Sequence, residues 1–277
     1  MTAQGELLAP GYTVIEHLSR TRRLDTYEVF SHERACSCVA KTLRPDRRDD
    51  ERARAALLRE GRLLTELAHP HIVRGYELLE DGPIAIMETL TGETVAHLIE
   101  RTQGLDTDEV AWLGLHLASA LRYLHNHDLL HVDVKPSNVI ASDGRAILLD
   151  LSLARPPGRY KQGLGTWCYL APEQARGDHL TPAADVWGLG TVLYEAATGE
   201  PAFTDDASVA SSDDTWQTEE QLEAGFPQLE QAAPRVDGPL GDVIAACLAF
   251  DPDDRPTLPQ LAARLAPLAP GSHPWSD

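Results

Sequence analysis

The chain has 277 residues, 43% of them hydrophobic, which is enough for one large domain or two lobes with a substantial core. It carries 24 basic against 43 acidic residues, a net charge of −19, and this balance argues against a nucleic-acid or anionic-membrane surface. No run of about 18 apolar residues occurs, and residues 1–6 lack the basic and apolar regions of a secretion signal, so a cytoplasmic protein is expected.

Residues 12–18 and 25–30 alternate in polarity as strands do, and 38–43 forms a third such run. The connection between the first two contains Arg20, Arg22 and Arg23 and no glycine; these arginines either meet an anion or stay solvated. Residues 49–67 predict a helix with Leu57, Leu58, Leu63, Leu64 and Leu67 on one broad face. A fourth strand is expected after Val73, and Asp81-Gly82-Pro83 turns the chain into a buried strand over 83–87. Residues 94–100 predict a short helix, and Asp106, Asp108 and Glu109 mark the start of a long one reaching His127. Further helices are expected over 185–197, 241–248 and 258–268. Residues 205–218, rich in Asp, Ser and Ala, predict a mobile acidic loop, either a solvated insertion or a dock for a basic protein partner. A short tail over 269–277 ends the chain.

Cys36 and Cys38 share a strand face, and no second Cys or His pair follows at a zinc-like spacing. His69 with His71, and His125 with His127, read as loop or surface histidines for the same reason. The chemistry concentrates instead in His131-Val132-Asp133-Val134-Lys135-Pro136-Ser137-Asn138, followed by Asp150 at the end of an apolar run. Asp133 can accept a proton, and Lys135 can face negative charge on a phosphoryl group. Asn138 and Asp150 are hard oxygen donors suited to Mg²⁺, which takes one or two carboxylates plus phosphate oxygens. Any one of these residues alone reads as part of a polar surface loop; the ordered string does not.

That string resembles the H-R-D-x-K-P-x-N loop and D-F-G motif of bacterial eukaryotic-like (Hanks-type) Ser/Thr protein kinases. Gly165-Thr166-Trp167-Cys168-Tyr169-Leu170-Ala171-Pro172-Glu173 is similar to the family's G-T-x-x-Y-x-A-P-E segment, and Asp185-Val186-Trp187 and Asp251-Pro252-Asp253-Asp254-Arg255-Pro256 to its D-x-W-x-x-G and D-P-x-x-R-P motifs. The resemblance implies an α+β, bilobal fold within 1–268: an antiparallel β lobe with one helix over 12–90 and a mostly helical lobe over 91–268, with nucleotide between them. It implies ATP and Mg²⁺ as cofactors and a protein Ser/Thr hydroxyl as acceptor. Asp133, Lys135 and Thr166 are the implied catalytic residues, and Asn138 and Asp150 the metal ligands. Lys41 braced by Glu60 is implied to position the phosphates, while Val29, Val39, Met87, Glu88, Leu90 and Ile140 surround the nucleotide. Arg255 is expected to pair with buried Glu173.

The chain departs from the pattern in several places. The glycine-rich loop is degenerate, Val39 stands where the family has Ala, Gly75 where it often has Leu, and Leu151-Ser152 where it has Phe-Gly. Val132 replaces the Arg that answers an activation-segment phosphate, and residues 156–166 hold no Ser and only Thr166, so activity without loop phosphorylation is expected. The alternative is a pseudokinase acting as a nucleotide-binding or scaffold module; a small-molecule phosphotransferase is the third reading.

Overall fold

Strand alternation and one amphipathic helix account for the first part of the chain. The computed structural model describes residues 2–203 and 236–271; the acidic stretch 205–218 and tail residues 272–277 lie outside the described residues. The contacts divide the chain into two units, one of residues up to Thr91 together with Asp150–Ser152, the other of the remainder.

In the first unit, β1 (Leu7–Ala9), β2 (Tyr12–Arg20), β3 (Leu24–Ser31), β4 (Cys36–Leu43), β5 (Gly75–Leu79) and β6 (Ile84–Glu88) form one antiparallel sheet in the order β1-β2-β3-β4-β6-β5. Alternate residues Tyr12, Val14, Tyr27, Val29, Cys38, Ala40, Ile84 and Ile86 build an apolar core on one face. Helix α1 (Glu51–Glu66) turns Leu57, Glu60, Gly61 and Leu64 inward. It starts two residues later than the pattern predicts because Asp50 is its N-cap, accepting from the Ala53 N–H. Gly75 has a packing reason: a Cβ there would lie 2.6 Å from the Leu64 carbonyl, so only glycine lets β5 approach α1 this closely.

The second unit is mostly helical: α2 (Val95–Thr102), α3 (Thr107–His125), α4 (Pro172–Arg176), α5 (Pro182–Thr198), α6 (Gly238–Cys247) and α7 (Leu258–Leu265). Thr94 caps α2, and a capping box between Asp106 and Glu109 opens α3 as the acidic cluster predicts. Strands β7 (Glu93–Thr94), β8 (Val139–Ser142) and β9 (Arg145–Leu148) form a small antiparallel sheet. The 131–138 loop leads into β8. No described helix is long and apolar enough to cross a membrane.

One buried ion pair ties α4 to the segment before α7. Arg255 donates to both carboxylate oxygens of Glu173 at 2.6 and 2.9 Å, and to the carbonyls of Ala249, Phe250 and Ala183. Its guanidinium also lies 5.0 Å from the Trp187 ring, which stacks on Phe203. Truncating one member leaves the other charge buried and alone, so Glu173→Gln and Arg255→Ala are each expected to lower unfolding free energy by about 3–5 kcal/mol in urea denaturation. Losses within a few tenths of a kcal/mol of zero would contradict this account of the second unit.

Candidate active site

A buried charge cluster in the first unit centres on Lys41. Lys41 on β4 places its Nζ 2.8 Å from Glu60 Oε1 and 3.1 Å from Asp150 Oδ2. Glu60 is 1% exposed, and its Oε2 is buried without a hydrogen-bond partner. Burial pushes the Glu60 carboxyl up to about 7 against the pull of Lys41. Burial opposes charge on Asp150 and Lys41 too, but their mutual attraction and the hydrogen bonds they make win: Asp150 is held well below the usual carboxylate range and Lys41 above the usual amine range. Asp150 adopts a left-handed φ of +57° and accepts from the Ser152 N–H at 3.0 Å.

Strand register decides which predicted nucleotide contacts join this cluster. Lys41 pairs with Thr26 and Ala85, and Val39 with Glu28 and Met87, so Val39 and Met87 share the Lys41 face. Val29 does not. It pairs with Cys38 in the apolar core on the opposite face, where it is fully buried, and this corrects its expected place beside the nucleotide. Thr26, and Ser19 across from it, stand on the Lys41 face instead. Glu88 closes β6 with its N–H on the Arg74 carbonyl, and Leu90, half-buried, follows two residues on. Ile140 belongs to the second unit, on β8 opposite Thr94 and Ile147.

The arginine-bearing turn is locked from within. Arg20 makes two hydrogen bonds to buried Asp25, at 2.7 and 2.8 Å, and His17 joins the same carboxylate. The N–H groups of Thr21, Arg23 and Leu24 bond inside the turn. Arg44 engages the carbonyls of Thr21, Arg22 and Arg23 from outside, and Arg23 lies 3.3 Å from Asp50. The turn therefore lacks the row of outward backbone donors that a phosphate cradle requires.

In the second unit, the 131–138 loop hangs on Asp185 at the start of α5. This buried carboxylate accepts from the N–H groups of His131 and Val132 and from His125 Nε2, each at 2.8 Å. Burial raises its pKa, but the His125 hydrogen bond and charge and the backbone donors outweigh that and lower it. His131 gives its Nε2–H to the Leu149 carbonyl and accepts from the Asp133 N–H at Nδ1, which fixes the ring tautomer. Val132 has φ +74°, a conformation rare for a β-branched residue. Its N–H is on Asp185 and its carbonyl on Gln174 Nε2, so both sides of the strained residue are pinned. A Cβ at Gly188 would sit 2.9 Å from that of Val134, which is why α5 presents glycine to the loop.

The loop and Thr166 bring three predicted residues into one partly buried triangle. Thr166 Oγ1 donates to Asp133 Oδ1 at 2.7 Å and accepts from Lys135 Nζ at 2.8 Å, while Lys135 lies 3.2 Å from Asp133 Oδ2. Asn138 directs its amide N–H groups to the Asp133 carbonyl and Oδ2, which leaves its side-chain oxygen to meet a cation. Among the described residues no three His, Cys, Asp or Glu side chains form a self-sufficient metal site.

The segment after Asp150 packs on the 131–138 loop through an apolar cluster and one side-chain bridge. Val132, Leu130, Leu153, Leu164 and Leu180 form an apolar cluster with Tyr160 against it. Gln174 bridges the carbonyls of Val132 and Leu164 at 2.9 Å each. Sequence reasoning missed Gln174, since nothing in its spacing marks a residue that works by bridging two carbonyls. Of the sulfur and histidine pairs, Cys36 is exposed, Cys38 is buried in the first core, and His125 and His127 engage Asp185 and the Tyr123 carbonyl.

Comparison with known proteins gives the family. Residues 12–265 match the family model described as "Protein kinase domain". The chain is 32% identical over 242 residues to serine/threonine-protein kinase PkaA of Streptomyces coelicolor, covering 83% of this chain and 43% of that protein. It is 30% identical over 285 residues to serine/threonine-protein kinase PknB of Mycolicibacterium smegmatis, covering 98% and 43%. A third relative, probable serine/threonine-protein kinase PknB of Lactococcus lactis, is 28% identical over 91% of this chain and 41% of its own length. The chain thus spans less than half the length of the curated relatives it matches. With the α+β kinase fold and a match over nearly the whole described chain, this protein belongs to the protein kinase domain family.

Proposed function

We propose that this chain is a Ser/Thr protein kinase that transfers the γ-phosphoryl group of ATP to a protein hydroxyl. The observation that carries this reading is the Asp133–Lys135–Thr166 triangle, a buried carboxylate already accepting from an alcohol beside an ammonium. A substrate Ser or Thr hydroxyl takes the same partners: Asp133 orients it and accepts its proton, and Lys135 faces the charge that develops on the transferred group. ATP with a divalent cation, here Mg²⁺, supplies the activated phosphoryl group and neutralises its charge. Asn138 and Asp150 are the residues that would hold the cation, and Lys41, steadied by Glu60, addresses the α/β-phosphates. Val39, Met87, Glu88, Leu90 and Ile140 are the residues proposed to meet the base.

Activity is proposed to be independent of activation-segment phosphorylation. What supports this is the apolar cluster around Val132 and the Gln174 bridge, which supply the tether that an Arg–phosphate pair supplies elsewhere. The pseudokinase reading is favoured by one observation, the closed arginine turn, whose Thr21, Arg23 and Leu24 N–H groups are committed internally. Incubating the chain with Mg-ATP and generic protein substrates, with phosphate located by mass spectrometry, separates the two. We expect transfer to Ser or Thr that falls at least about 100-fold in Asp133→Asn and in Lys41→Ala and that survives phosphatase pretreatment. ATP binding without transfer would favour the pseudokinase, and loss of activity on phosphatase treatment would overturn the phosphate-independent tether.

The Glu60 carboxyl gives a pH signature. Its pKa is raised to about 7, so lowering the pH through that value protonates it and removes the charge that steadies Lys41. Transfer is expected to fall severalfold between about pH 7.5 and pH 6. Glu60→Gln should be weaker throughout and lose this inflection; an unchanged pH profile in the variant would show that another group controls it.

A further inference from the structure

We propose that Arg59, which no motif assigns, is a positioning residue that clamps the Asp150 turn to α1. The proposal rests on the kinase reading for what the turn is used for, and on geometry alone for the clamp. Arg59 Nη2 donates to the Ser152 carbonyl at 2.6 Å. Ser152 N–H donates to Asp150 Oδ1 at 3.0 Å, Lys41 donates to Asp150 Oδ2, and Lys41 also donates to Glu60, the residue beside Arg59. The contacts close a ring from α1 through β4 and the turn back to α1.

Two neighbouring residues can do this because successive helical side chains point about 100° apart. Glu60 enters the core and is 1% exposed, while Arg59 stays at the exposed rim and reaches the turn directly. The turn needs such a hold. Asp150 has φ +57° without being glycine, a conformation that costs roughly 1 kcal/mol or more, and its carboxylate is engaged by Lys41 and by the Ser152 N–H. A charge-assisted bond from a guanidinium to the Ser152 carbonyl fixes the far end of the turn and, through it, the direction of the Asp150 carboxylate. Arg is suited to this because its planar fork is preorganised, whereas a Lys ammonium is a compact point charge on a flexible stem.

The test uses hydrogen exchange in the full chain, read on the peptide spanning residues 149–154, alongside steady-state kinetics. Arg59→Ala should exchange there at least about tenfold faster than wild type, with β2, β3 and β4 unchanged. Arg59→Lys should lie between the two. In the kinetics, Arg59→Ala should lower kcat and raise the divalent-cation requirement severalfold while leaving KM for the protein substrate unchanged. Unchanged exchange at 149–154 would overturn the proposal. So would acceleration spread evenly over α1 and the sheet, which would make Arg59 a general stabiliser. Local acceleration in a chain that transfers no phosphate would uphold the clamp and sink only the kinase reading.

Discussion

A single ammonium held between two carboxylates is the interaction on which the first unit's chemistry depends. Lys41 is only 14% exposed at its side chain, and bringing it out of water is unfavourable unless opposite charge meets it. Glu60 and Asp150 provide that charge from two directions, one from α1 and one from a segment more than a hundred residues away in sequence. The same network sets the three elements in register: β4 cannot move against α1, nor α1 against the Asp150 turn, without stranding a buried charge. Glu60 bears the strain of this arrangement, with an unpaired buried oxygen and a carboxyl that burial pushes toward neutrality.

The second unit solves a different problem with a different carboxylate. The 131–138 loop must hold Asp133 and Lys135 in a fixed relation, yet it contains a β-branched residue at positive φ. Asp185 makes this possible by accepting two consecutive backbone N–H groups, and Gln174 completes the hold from the other side. Val132 then contributes what its side chain allows, an apolar contact with Leu164 and Leu153, where a longer basic residue would need an anion.

Much of this was legible in the sequence because charged side chains at fixed motif spacing have few alternative uses. Lys41 with Glu60, Asp133 with Thr166, and Arg255 with Glu173 all meet as their motifs imply. Val29 was misplaced because its face depends on parity across the β3–β4 pairing: it stands three residues from Thr26, the partner of Lys41, and that register is not written in the composition. The arginine turn was ambiguous because the partner that settles Arg20, Asp25, looks from sequence like an ordinary polar strand residue yet is fully buried. Gly75 looked like degeneration of the motif and instead marks the close approach of α1 to β5.

The central claim, that Lys41 and Glu60 are energetically one unit, is tested most directly by a double-mutant cycle on unfolding free energy with Lys41→Met, Glu60→Gln and the double variant. The account predicts that the double variant loses less than the sum of the singles, by about 1–3 kcal/mol, because the second substitution removes a charge the first has already stranded. Additive losses within about 0.3–0.5 kcal/mol would contradict it.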